Sequence, residues 1–422
     1  MRKPAAKAFD VVIAGGGLTG PTLAIALADA GMKVVLCDAE PLEARLAPEF
    51  DGRASAIAAG NWRLWRALGV AQRLEPDAQP IRRILVTDGP APGPSAMRPF
   101  PVFLEFLSAD LDADRDSREG VDIGWMVENR RIRQALAAAL AERKVAVFAP
   151  AAVTDAAIGD PQCTATLADG RRLEAPLLVG AEGRRSVVRE AAGIGTYGWD
   201  YGQCGVVATV RLERDHEGTA YEYFLPGGPF AILPLTGGRA SLVWSEHKDR
   251  ARALVDASVE AFEGHLHRRF GDVLGRPTLE GGRMQFPLSL QMAERMAGPR
   301  VALVGDAAHA VHPIAGQGLN MGLKDVAALA EVIVEARRLG EDWSSELVLE
   351  RYARWRRLDA AGLAVATDLF TRLFSNDHRA LRLVRGAGLA LVNRLAPAKR
   401  MFVREAAGML GDTPKLLRGE AL

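Results

Sequence analysis

Three glycines near the N-terminus have the spacing that lets a backbone approach a phosphate. Gly15, Gly17 and Gly20 lie between a β-branched segment, Phe9 to Ala14, and an Ala- and Leu-rich segment. In such a turn the first glycine makes the bend, the second admits a pyrophosphate and the third allows close helix packing. Asp38 ends the next strand-like segment, where a carboxylate can accept hydrogen bonds from a ribose. The motif predicts a dinucleotide site and does not distinguish FAD from NAD.

Two more strand-like segments end at turns that contain glycine. In LLVGAEGRRS, residues 177–186, a buried strand leads into a turn, and in VALVGDAAHAVHPIAGQGLNMGLKD, residues 301–325, a strand leads through a loop into a helix. A carboxylate at a strand end can hold sugar-like hydroxyl groups. A loop at a helix N-terminus can stabilise an electron-poor ring that becomes anionic when reduced. The first turn contains Glu182 and Gly183, the carboxylate is Asp306 after Gly305, and the loop contains Gly316, Gln317 and Gly318.

Other polar residues suggest weaker hypotheses. His309 and His312 resemble a metal-binding pair, but no third ligand of suitable type lies nearby in the sequence, so we predict no metal site. Tyr221 and Tyr223, or Glu222 between them, could contact a phenolic substrate from a second sheet. A tyrosine in an alternating strand is more often a packed residue, so both interpretations stay open.

The elements that position these residues are of two kinds. The segments FDVVIA and KVVLCD flank a helix that ends at Gly31, which predicts a βαβ unit of a parallel sheet. Between Gly205 and Ser245, alternating segments separated by turns predict antiparallel strands of a second sheet. Apolar residues from Leu254 to Phe270 recur at helical spacing and predict one helix packed on that sheet. After Gly316 the pattern is helical.

Composition excludes several classes of function. The 53 basic and 52 acidic residues give a net charge of +1, which provides no field to hold nucleic acid. The three cysteines are too few for a disulfide framework and lack metal-ligand spacing, which favours a cytoplasmic compartment. We find neither a signal peptide nor an apolar run of the roughly 18 residues that a membrane-spanning helix needs. The chain is expected to be soluble, or peripheral at the inner face of a membrane.

The three motifs carry a family resemblance over about Phe9 to Ala330. GGGLTG, GAEGRRS and GDAAHAVHPIAGQGLNMGLKD resemble the fingerprints of class A flavoprotein monooxygenases, relatives of para-hydroxybenzoate hydroxylase. HPIAGQGLNMGLKD, IGWMVENRRIRQAL, GRASAI and ASLVW resemble the ubiquinone-biosynthesis hydroxylase branch of that class. The resemblance implies an α/β fold in which a Rossmann-like FAD-binding domain is interleaved with a mixed or antiparallel-sheet substrate domain, followed by a helical C-terminus. The implied boundaries are 1–80, 119–190 and 291–345 for the FAD-binding domain, 81–118 and 191–290 for the substrate domain, and 346–422 for the helical region.

The resemblance also implies roles for individual residues. The adenylate half of FAD would contact Gly15, Gly17, Gly20 and Asp38, Arg53 and Arg130 would contact the cofactor, and Asp306 would bind the ribityl chain. The flavin ring would be bordered by Pro313, Gly316, Gly318, Leu319 and Asn320. One position departs from the family, which usually has Asp before the glycine of the middle fingerprint, where this chain has Glu182 before Gly183.

The implied reaction is hydroxylation of the aromatic ring of a polyprenylated phenol. FAD would be reduced by NAD(P)H as a transient co-substrate, and O2 would then form a flavin C4a-hydroperoxide that transfers oxygen. Two alternatives stay open: a hydroxylase of a small soluble aromatic compound, and a flavin-binding scaffold subunit of a biosynthetic complex. The ring carbon that is hydroxylated and the choice between NADH and NADPH are not determined.

The C-terminal region, residues 379–418, is basic and amphipathic. It is interpreted either as a helix packed on the FAD-binding domain or as a surface that docks on anionic lipid or on other ubiquinone-biosynthesis proteins. Its basic residues are Arg382, Arg385, Arg394, Lys399, Arg400, Arg404 and Lys415, and its apolar residues are Leu381, Val384, Leu389, Leu391, Leu395, Phe402 and Val403.

Overall fold

The described strands form four sheets, and the chain ends in helices. The computed structural model describes residues 9–41, 44, 52–88, 102–112, 122–225, 227–271, 273–312, 316–374 and 395–422. The strands are β1 (Val11–Ala14), β2 (Val34–Cys37), β3 (Ala54–Ala58), β4 (Gln79–Ile81), β5 (Arg83–Asp88), β6 (Val102–Leu107), β7 (Gly124–Glu128), β8 (Ala146–Phe148), β9 (Val153–Ala157), β10 (Cys163–Leu167), β11 (Arg172–Ala175), β12 (Leu177–Gly180), β13 (Thr196–Arg211), β14 (Thr219–Leu225), β15 (Gly228–Leu235), β16 (Arg239–His247), β17 (Thr278–Ala293), β18 (Ala297–Gly298), β19 (Val301–Leu303) and β20 (His309–Ala310). The helices are α1 (Thr19–Asp29), α2 (Ala59–Ala67), α3 (Ala71–Leu74), α4 (Ala109–Asp112), α5 (Asn129–Glu142), α6 (Val187–Ala191), α7 (Lys248–Asp256), α8 (Val259–Phe270), α9 (Gln317–Arg338), α10 (Glu346–Phe374), α11 (Ala396–Ala406) and α12 (Lys415–Arg418).

A six-stranded sheet carries the three glycine-containing turns. Its order is β18-β19-β12-β1-β2-β8, and all neighbouring strands are parallel except β18 and β19. Strands β1, β2 and β12 are buried at every position, which explains their continuous Val, Ile and Leu residues. Helix α1 connects β1 to β2, and Gly31 adopts a φ of 76° just after the helix, so the predicted βαβ unit is confirmed. The turns meet at one edge because parallel strands share their carboxyl ends.

Helices and a small sheet contribute to the main hydrophobic core with the parallel sheet. Helix α1 contacts α5 and α9, and residues of all three belong to this core. The antiparallel sheet β11-β10-β9 adds Cys163, Ala165 and Leu167 to it. The sequence analysis did not predict this sheet, because its strands are short and their exposed positions are charged or polar. Burial of each Val, Leu or Ile side chain stabilises the fold by roughly 1.5–3 kcal/mol.

An eight-stranded sheet forms the second large unit. Its order is β20-β17-β13-β16-β15-β14-β5-β6, and its neighbouring strands are antiparallel except β14 and β5, which are parallel. Strands β5 and β6 come from the chain before β12, whereas β13 to β17 follow it, so the two units are interleaved as expected. Strand β17, which pairs with β13 along most of its length, was not predicted.

The helical pattern beyond β16 forms two helices, so the prediction of one helix was wrong. Helix α7 ends at Asp256, and α8 begins at Val259. Ser258 interrupts the helix because its side-chain oxygen accepts a hydrogen bond from Ala261 N at 3.2 Å and caps the second helix. Leu254 of α7 and Phe262 and Leu266 of α8 still share one apolar cluster with the eight-stranded sheet.

The part of the chain after Gly316 that the structure describes is helical, as predicted. Helix α9 is almost entirely buried, and α10 extends over 29 residues. Val403 of α11 and Leu416 of α12 are buried against the rest of the protein. Within the described residues, no helix combines the length and apolar character required to span a lipid bilayer.

Candidate functional site

The first glycine-rich turn is shaped by three different steric requirements. Gly15 has a φ of 108°, and a Cβ there would lie 2.3 Å from Ala181 O. A Cβ on Gly20 would lie 2.0 Å from Gly15 O, so this glycine lets α1 start against the turn. A Cβ on Gly17 would meet no protein atom within 4 Å. Gly15 and Gly20 are therefore needed by the fold, and Gly17 borders open space.

A cleft of about 450 Å³ lies over this turn, and we call it the glycine-rich cleft. Helix α1 begins beside it without a side-chain cap from a described residue, and so does α9. The backbone N–H groups of an uncapped helix N-terminus carry partial positive charge and attract anions. The cleft is lined by Gly15, Gly16, Gly17, Thr19, Asp38, Ser55, Asn129, Glu182, Gly183, Gly305, Asp306, Gly318 and Leu319, among others.

Two carboxylates of this cleft come from strand ends, as the sequence predicted. Asp38 is 5% exposed, and its Oδ1 accepts a hydrogen bond from Glu40 N at 3.0 Å. Asp306 follows β19 and faces the open cleft. Desolvation by the surrounding protein raises the pKa of Asp306, and the nearby charges of Arg184 and His309 oppose this effect. Its carboxylate is thus placed to accept hydrogen bonds from a ligand.

Glu182, the departure from the family pattern, caps a helix. Its Oε1 accepts a hydrogen bond from Val188 N at 2.9 Å, at the start of α6. Burial raises the pKa of Glu182, and the hydrogen bonds to its carboxylate reduce this shift. Gly183 has a φ of 86°, and a Cβ there would meet open space. The longer side chain of glutamate therefore turns toward α6 while the following glycine borders the cleft.

A second cleft, of about 580 Å³, lies between the two large units, and we call it the intersheet cleft. The two clefts share Ser55, Asn129, Asp306, Gly318 and Leu319. They are therefore continuous. The wall formed by the eight-stranded sheet contains Gly205, Val207, Glu222, Ala231, Leu233, Val243, Phe286, Pro287 and Leu288, and the opposite wall contains Arg53, Ala54, Ala56, Gly316, Gly318 and Leu319.

The two tyrosines considered as substrate contacts lie on the other face of the sheet. Tyr221 and Tyr223 belong to the apolar cluster beneath α7 and α8, where Tyr223 contacts Phe230 with ring centroids 6.0 Å apart. Neither tyrosine lines the intersheet cleft, whereas Glu222 does. Because side chains alternate along a strand, only one of the two sets can face the cleft. The structure thus corrects the tyrosine hypothesis in favour of Glu222.

Asn320 anchors the loop that leads into α9. Its Oδ1 accepts hydrogen bonds from Ala58 N at 3.0 Å and from Asn61 Nδ2 at 2.8 Å. Its Nδ2 donates to Ala56 O at 2.9 Å and to Gly316 O at 3.2 Å. Gly316 has a φ of 63°, a left-handed conformation that favours glycine. Asn320 therefore fixes the backbone of residues 316–319 against β3.

A buried ionic cluster supports the turn after β19 from below. Asp325 of α9 is fully buried and accepts hydrogen bonds from Gly305 N at 3.0 Å and from Arg356 Nε at 2.8 Å. His309 Nε2 also contacts this carboxylate, at 2.7 Å from Asp325 Oδ2. Burial opposes ionisation of Asp325, but the charges of His309 and Arg356 outweigh it and hold its pKa below the usual value. His312 is fully buried, and burial lowers its pKa to about 4.

The remaining predicted residues have different environments. Arg53 lines the intersheet cleft, with its guanidinium 5.9 Å from the centre of the Phe286 ring. Arg130 contacts Glu128 at 3.4 Å and is not among the residues that line either cleft. Its neighbour Asn129 lines both. Gln317 is the first residue of α9, and Pro313 lies outside the described residues.

Comparisons with known proteins agree with this geometry. Residues 8–367 match the family model described as "FAD binding domain". The chain is also 46% identical, over 99% of its length and 94% of the relative's, to ubiquinone hydroxylase UbiL of Rhodospirillum rubrum. It belongs to the ubiquinone hydroxylase family of FAD-dependent monooxygenases. This monooxygenase is 35% identical to the 3-demethoxyubiquinol 3-hydroxylase of Escherichia coli, over 95% of its own chain and 98% of the other. Its fold is similar to that of p-nitrophenol 4-monooxygenase from Pseudomonas putida, with a TM-score of 0.77, 20% identity, and coverage of 95% and 98% of the two chains.

The residues of this monooxygenase fit FAD. A Cβ added at Gly17, Gly183 or Gly318 would project into open space, so the backbone at these positions is accessible to a ligand. Two uncapped helix N-termini provide N–H groups, one for a pyrophosphate and one for a flavin ring that becomes anionic when reduced. The continuity of the two clefts lets a flavin ring at Leu319 face the intersheet cleft.

Sequence reasoning missed Ser55, Asn129 and most of the apolar wall. Ser55 Oγ donates to Asn129 Oδ1 at 2.6 Å, and both residues line both clefts. Each lies within a segment cited in the resemblance, GRASAI and IGWMVENRRIRQAL, but neither has a distinctive spacing. The apolar positions of β13, β15 and β16 carried a signal in their alternation, although that signal does not say which face meets the cofactor.

Proposed function

We propose that this enzyme hydroxylates the aromatic ring of a polyprenylated phenol in ubiquinone biosynthesis, with NAD(P)H as reductant and O2 as co-substrate. The observation that carries the proposal is the intersheet cleft, which joins the glycine-rich cleft at Asp306, Gly318 and Leu319. Its sheet wall is apolar apart from Glu222, and such a wall suits an aromatic ring with a hydrocarbon tail.

The cofactor would be held along the edge of the parallel sheet. Asp38 would bind the adenosine ribose, and Gly15, Gly17 and the N-terminus of α1 would bind the pyrophosphate. Asp306 would bind the ribityl chain, and residues 316–319 would border the flavin ring. Bound FAD accepts hydride from NAD(P)H and, with O2, supplies the oxygen atom that is transferred.

The protein's own contribution is orientation and exclusion of water. The N-terminus of α9 would stabilise negative charge on the reduced ring through its backbone N–H groups. Val207, Ala231 and Val243 would hold the substrate ring against the flavin and keep water from the transferred oxygen. Asn320 and Asp325 would hold the loops on which this geometry depends.

The test compares phenols with and without a polyprenyl tail. We expect the FAD-loaded enzyme to couple NAD(P)H oxidation to hydroxylated product with the tailed phenol and to show a much lower kcat/KM with the tailless one. A preference for the tailless phenol would favour the alternative hydroxylase of soluble aromatics. NAD(P)H oxidation and product formation near zero with both compounds would favour the scaffold subunit.

We also propose that the enzyme collects its substrate at a membrane surface through one face of α10. Leu358, Val365 and Leu369 lie on one stripe of this helix and are 83%, 67% and 60% exposed. Trp199 Nε1 donates to Asp368 Oδ1 at 3.1 Å, which places an exposed indole beside the stripe. Exposed apolar side chains on an amphipathic helix, with an exposed indole beside them, are suited to the headgroup region of a bilayer. We call these four residues the α10 patch.

A further inference from the structure

Glu222 lies in the sheet wall of the intersheet cleft, in the middle of a cross-strand row. It pairs with Ala231 of β15 on one side and with Val86 of β5 on the other. Ala231 pairs with Val243, which pairs with Val207. Ala231, Val243 and Val207 line the cleft together with Glu222. Neighbouring strands lie about 4.8 Å apart, so this row forms an apolar surface in which Glu222 is the polar position.

The carboxyl group of Glu222 has no described partner. Within the part of the chain that the structure describes, no hydrogen bond or ion pair joins it to another residue, and the side chain is only 8% exposed. Burial raises its pKa to about 8. A carboxyl group that lines an apolar cleft wall and has no ion-pair partner among the described residues is placed to contact a ligand in that cleft.

Several charged groups lie around the cleft, and among the described residues none of them is paired with Glu222. Arg53, Arg184 and Asp306 line the same intersheet cleft as Glu222. The sheet's neighbouring strands carry Arg83, which contacts Glu105 at 3.8 Å, and Asp88. Helix α11 packs Val403 into the cluster of Phe224 and bears Lys399, Arg400, Arg404 and Glu405, of which Lys399 is paired with Asp110 at 2.9 Å and Glu405 lies 3.8 Å from Lys324.

We propose that Glu222 is a catalytic residue that removes the proton from the hydroxyl group of the bound phenol, an inference that rests on the proposed function. In this step the O–H bond of the phenol breaks, its electron pair stays on the oxygen, and a new O–H bond forms on the Glu222 carboxylate. The phenolate donates electron density into the ring, which makes the ring carbons more nucleophilic toward the oxygen that the flavin supplies from O2.

The proton is returned after oxygen transfer. The ring carbon that gains the hydroxyl group becomes part of a dienone. The dienone becomes the aromatic diol when its C–H proton leaves to solvent and Glu222 gives its proton back to the ring oxygen. Glu222 is then a carboxylate again, and NAD(P)H and O2 are the only reductant and oxidant consumed.

The apolar environment makes the carboxylate of Glu222 a stronger base. A phenol has a pKa of about 10, so a carboxylate of ordinary pKa near 4 is a weak base toward it. Proton transfer is most effective when the pKa of the base approaches that of the group it serves. Because the carboxylate form is the active one, kcat/KM is expected to rise with pH and to level off above about 8.

The experiment uses the FAD-loaded full chain with a farnesylated phenol and with the methyl ether of the same compound. For Glu222→Gln we expect hydroxylation of the phenol to fall by roughly 100-fold, the scale of general base catalysis, while flavin reduction by NAD(P)H is retained. The rise of kcat/KM toward pH 8 should disappear. With the methyl ether, which has no proton to remove, wild type and Glu222→Gln should hydroxylate at equal rates.

Two further variants control for a structural effect. Glu222→Asp, which keeps the carboxylate, should recover part of the rate and the pH dependence, and Tyr221→Phe on the opposite face should leave both unchanged. An unchanged pH profile in Glu222→Gln, or an equal loss with the phenol and the ether, would overturn the assignment. If wild type itself gives no product from the farnesylated phenol, the proposed function fails instead, so the two failures are distinguishable.

Discussion

At the residue scale, two glycines of the same turn should respond differently to substitution. Gly17→Val places a side chain in the space that the pyrophosphate needs, so we expect a folded protein that retains no FAD. Gly15→Ala creates a contact of 2.3 Å with the backbone of Ala181 and requires a φ of 108°, so it should lower the stability of the fold itself.

Flavin absorbance per protein and thermal unfolding of the FAD-free proteins measure these two effects. The control is Gly31→Ala, at a positive φ far from the cleft, which should lower Tm without reducing the FAD content. A yellow Gly17→Val protein would contradict the assignment of Gly17 to the pyrophosphate.

Substitutions of the two acidic residues that follow β12 and β19 should also affect different properties of the protein. Asp306→Ala removes a carboxylate that faces the cleft, and we expect FAD to bind at least about tenfold more weakly, as for loss of a charged hydrogen bond. Glu182→Ala removes one of two side-chain hydrogen bonds that cap α6, since Ser186 supplies the other, and should instead lower stability by about 1 kcal/mol with a smaller effect on FAD. Titration of each FAD-free variant with FAD gives the order, and a larger effect of Glu182→Ala would reverse our interpretation.

Glu222 should make stability depend on pH in a window that its raised pKa defines. The native state holds this proton more tightly than the unfolded state. The stabilisation is therefore complete below a pH of about 4.5 and is lost as the pH rises through about 8, an effect on the order of 4 kcal/mol. Thermal unfolding at several pH values should show Glu222→Gln becoming more stable relative to wild type across this window. For Tyr221→Phe the difference from wild type should stay constant, and a constant difference for Glu222→Gln would exclude the raised pKa.

Sequence reasoning at this scale identified residues by type and spacing, but it could not determine which face of a strand each side chain occupies. The strand-end position of Asp306 follows from the position of its strand alone, and the structure places it at the cleft as expected. The choice between Tyr221 and Glu222 does not follow, because a shift of one residue exchanges the two faces of a strand. The roles of individual residues in cofactor binding stay predictions.

At the scale of single elements, one amide side chain, that of Asn320, anchors the N-terminus of α9 to β3. Asn320→Asp keeps the two accepted hydrogen bonds and turns the two donated ones, to Ala56 O and Gly316 O, into contacts between acceptors. We expect a loss of unfolding free energy of roughly 2–4 kcal/mol and weaker FAD binding, because the N-terminus of α9 shifts. Chemical denaturation of the FAD-free proteins measures the first effect. Asn61→Ala, which removes the hydrogen bonds that Asn61 donates to Asn320 and leaves the contact with residue 316, is the matched control for the second.

The elements that sequence reasoning found are those with strong periodicity. The buried strands β1, β2 and β12 and helix α9 were predicted because their apolar residues are continuous or regularly spaced. Strand β17 was missed because it has many exposed positions and is stabilised mainly by pairing with β13, a contact that the local sequence does not encode.

At the scale of the whole molecule, the structure changes how membrane docking should be tested. Residues 382, 385 and 394 of the basic region lie outside the described residues, while Lys415 is paired with Glu335 and Val403 is buried. Removal of the C-terminal residues would therefore expose core side chains, so point substitutions in the α10 patch are the better test.

Replacing Leu358, Val365 and Leu369 with glutamate should abolish flotation with liposomes that contain anionic lipid, because carboxylates do not insert at the acyl-chain boundary and are repelled by anionic headgroups. The matched control is Leu339→Glu, at another exposed leucine, 74% exposed, which should not change flotation. FAD content should be normal in both. Flotation of the triple variant at the wild-type level would exclude the α10 patch as the docking surface.

The domain boundaries in residue numbers stay a prediction.

The interleaving of the two units has a consequence for synthesis of the chain. Val11 pairs with Leu177, and Leu178 pairs with Val301, so the parallel sheet joins segments that leave the ribosome far apart in time. Strand β5 likewise cannot pair with β14 until the later strand has been synthesised. Folds dominated by such distant pairings form slowly, and their unpaired strands are open to aggregation in the meantime. In the part of the chain that the structure describes, neither large sheet is complete before residues 301–310 have been made. A chain that stops before residue 301 should therefore depend on chaperones rather than fold as an independent unit.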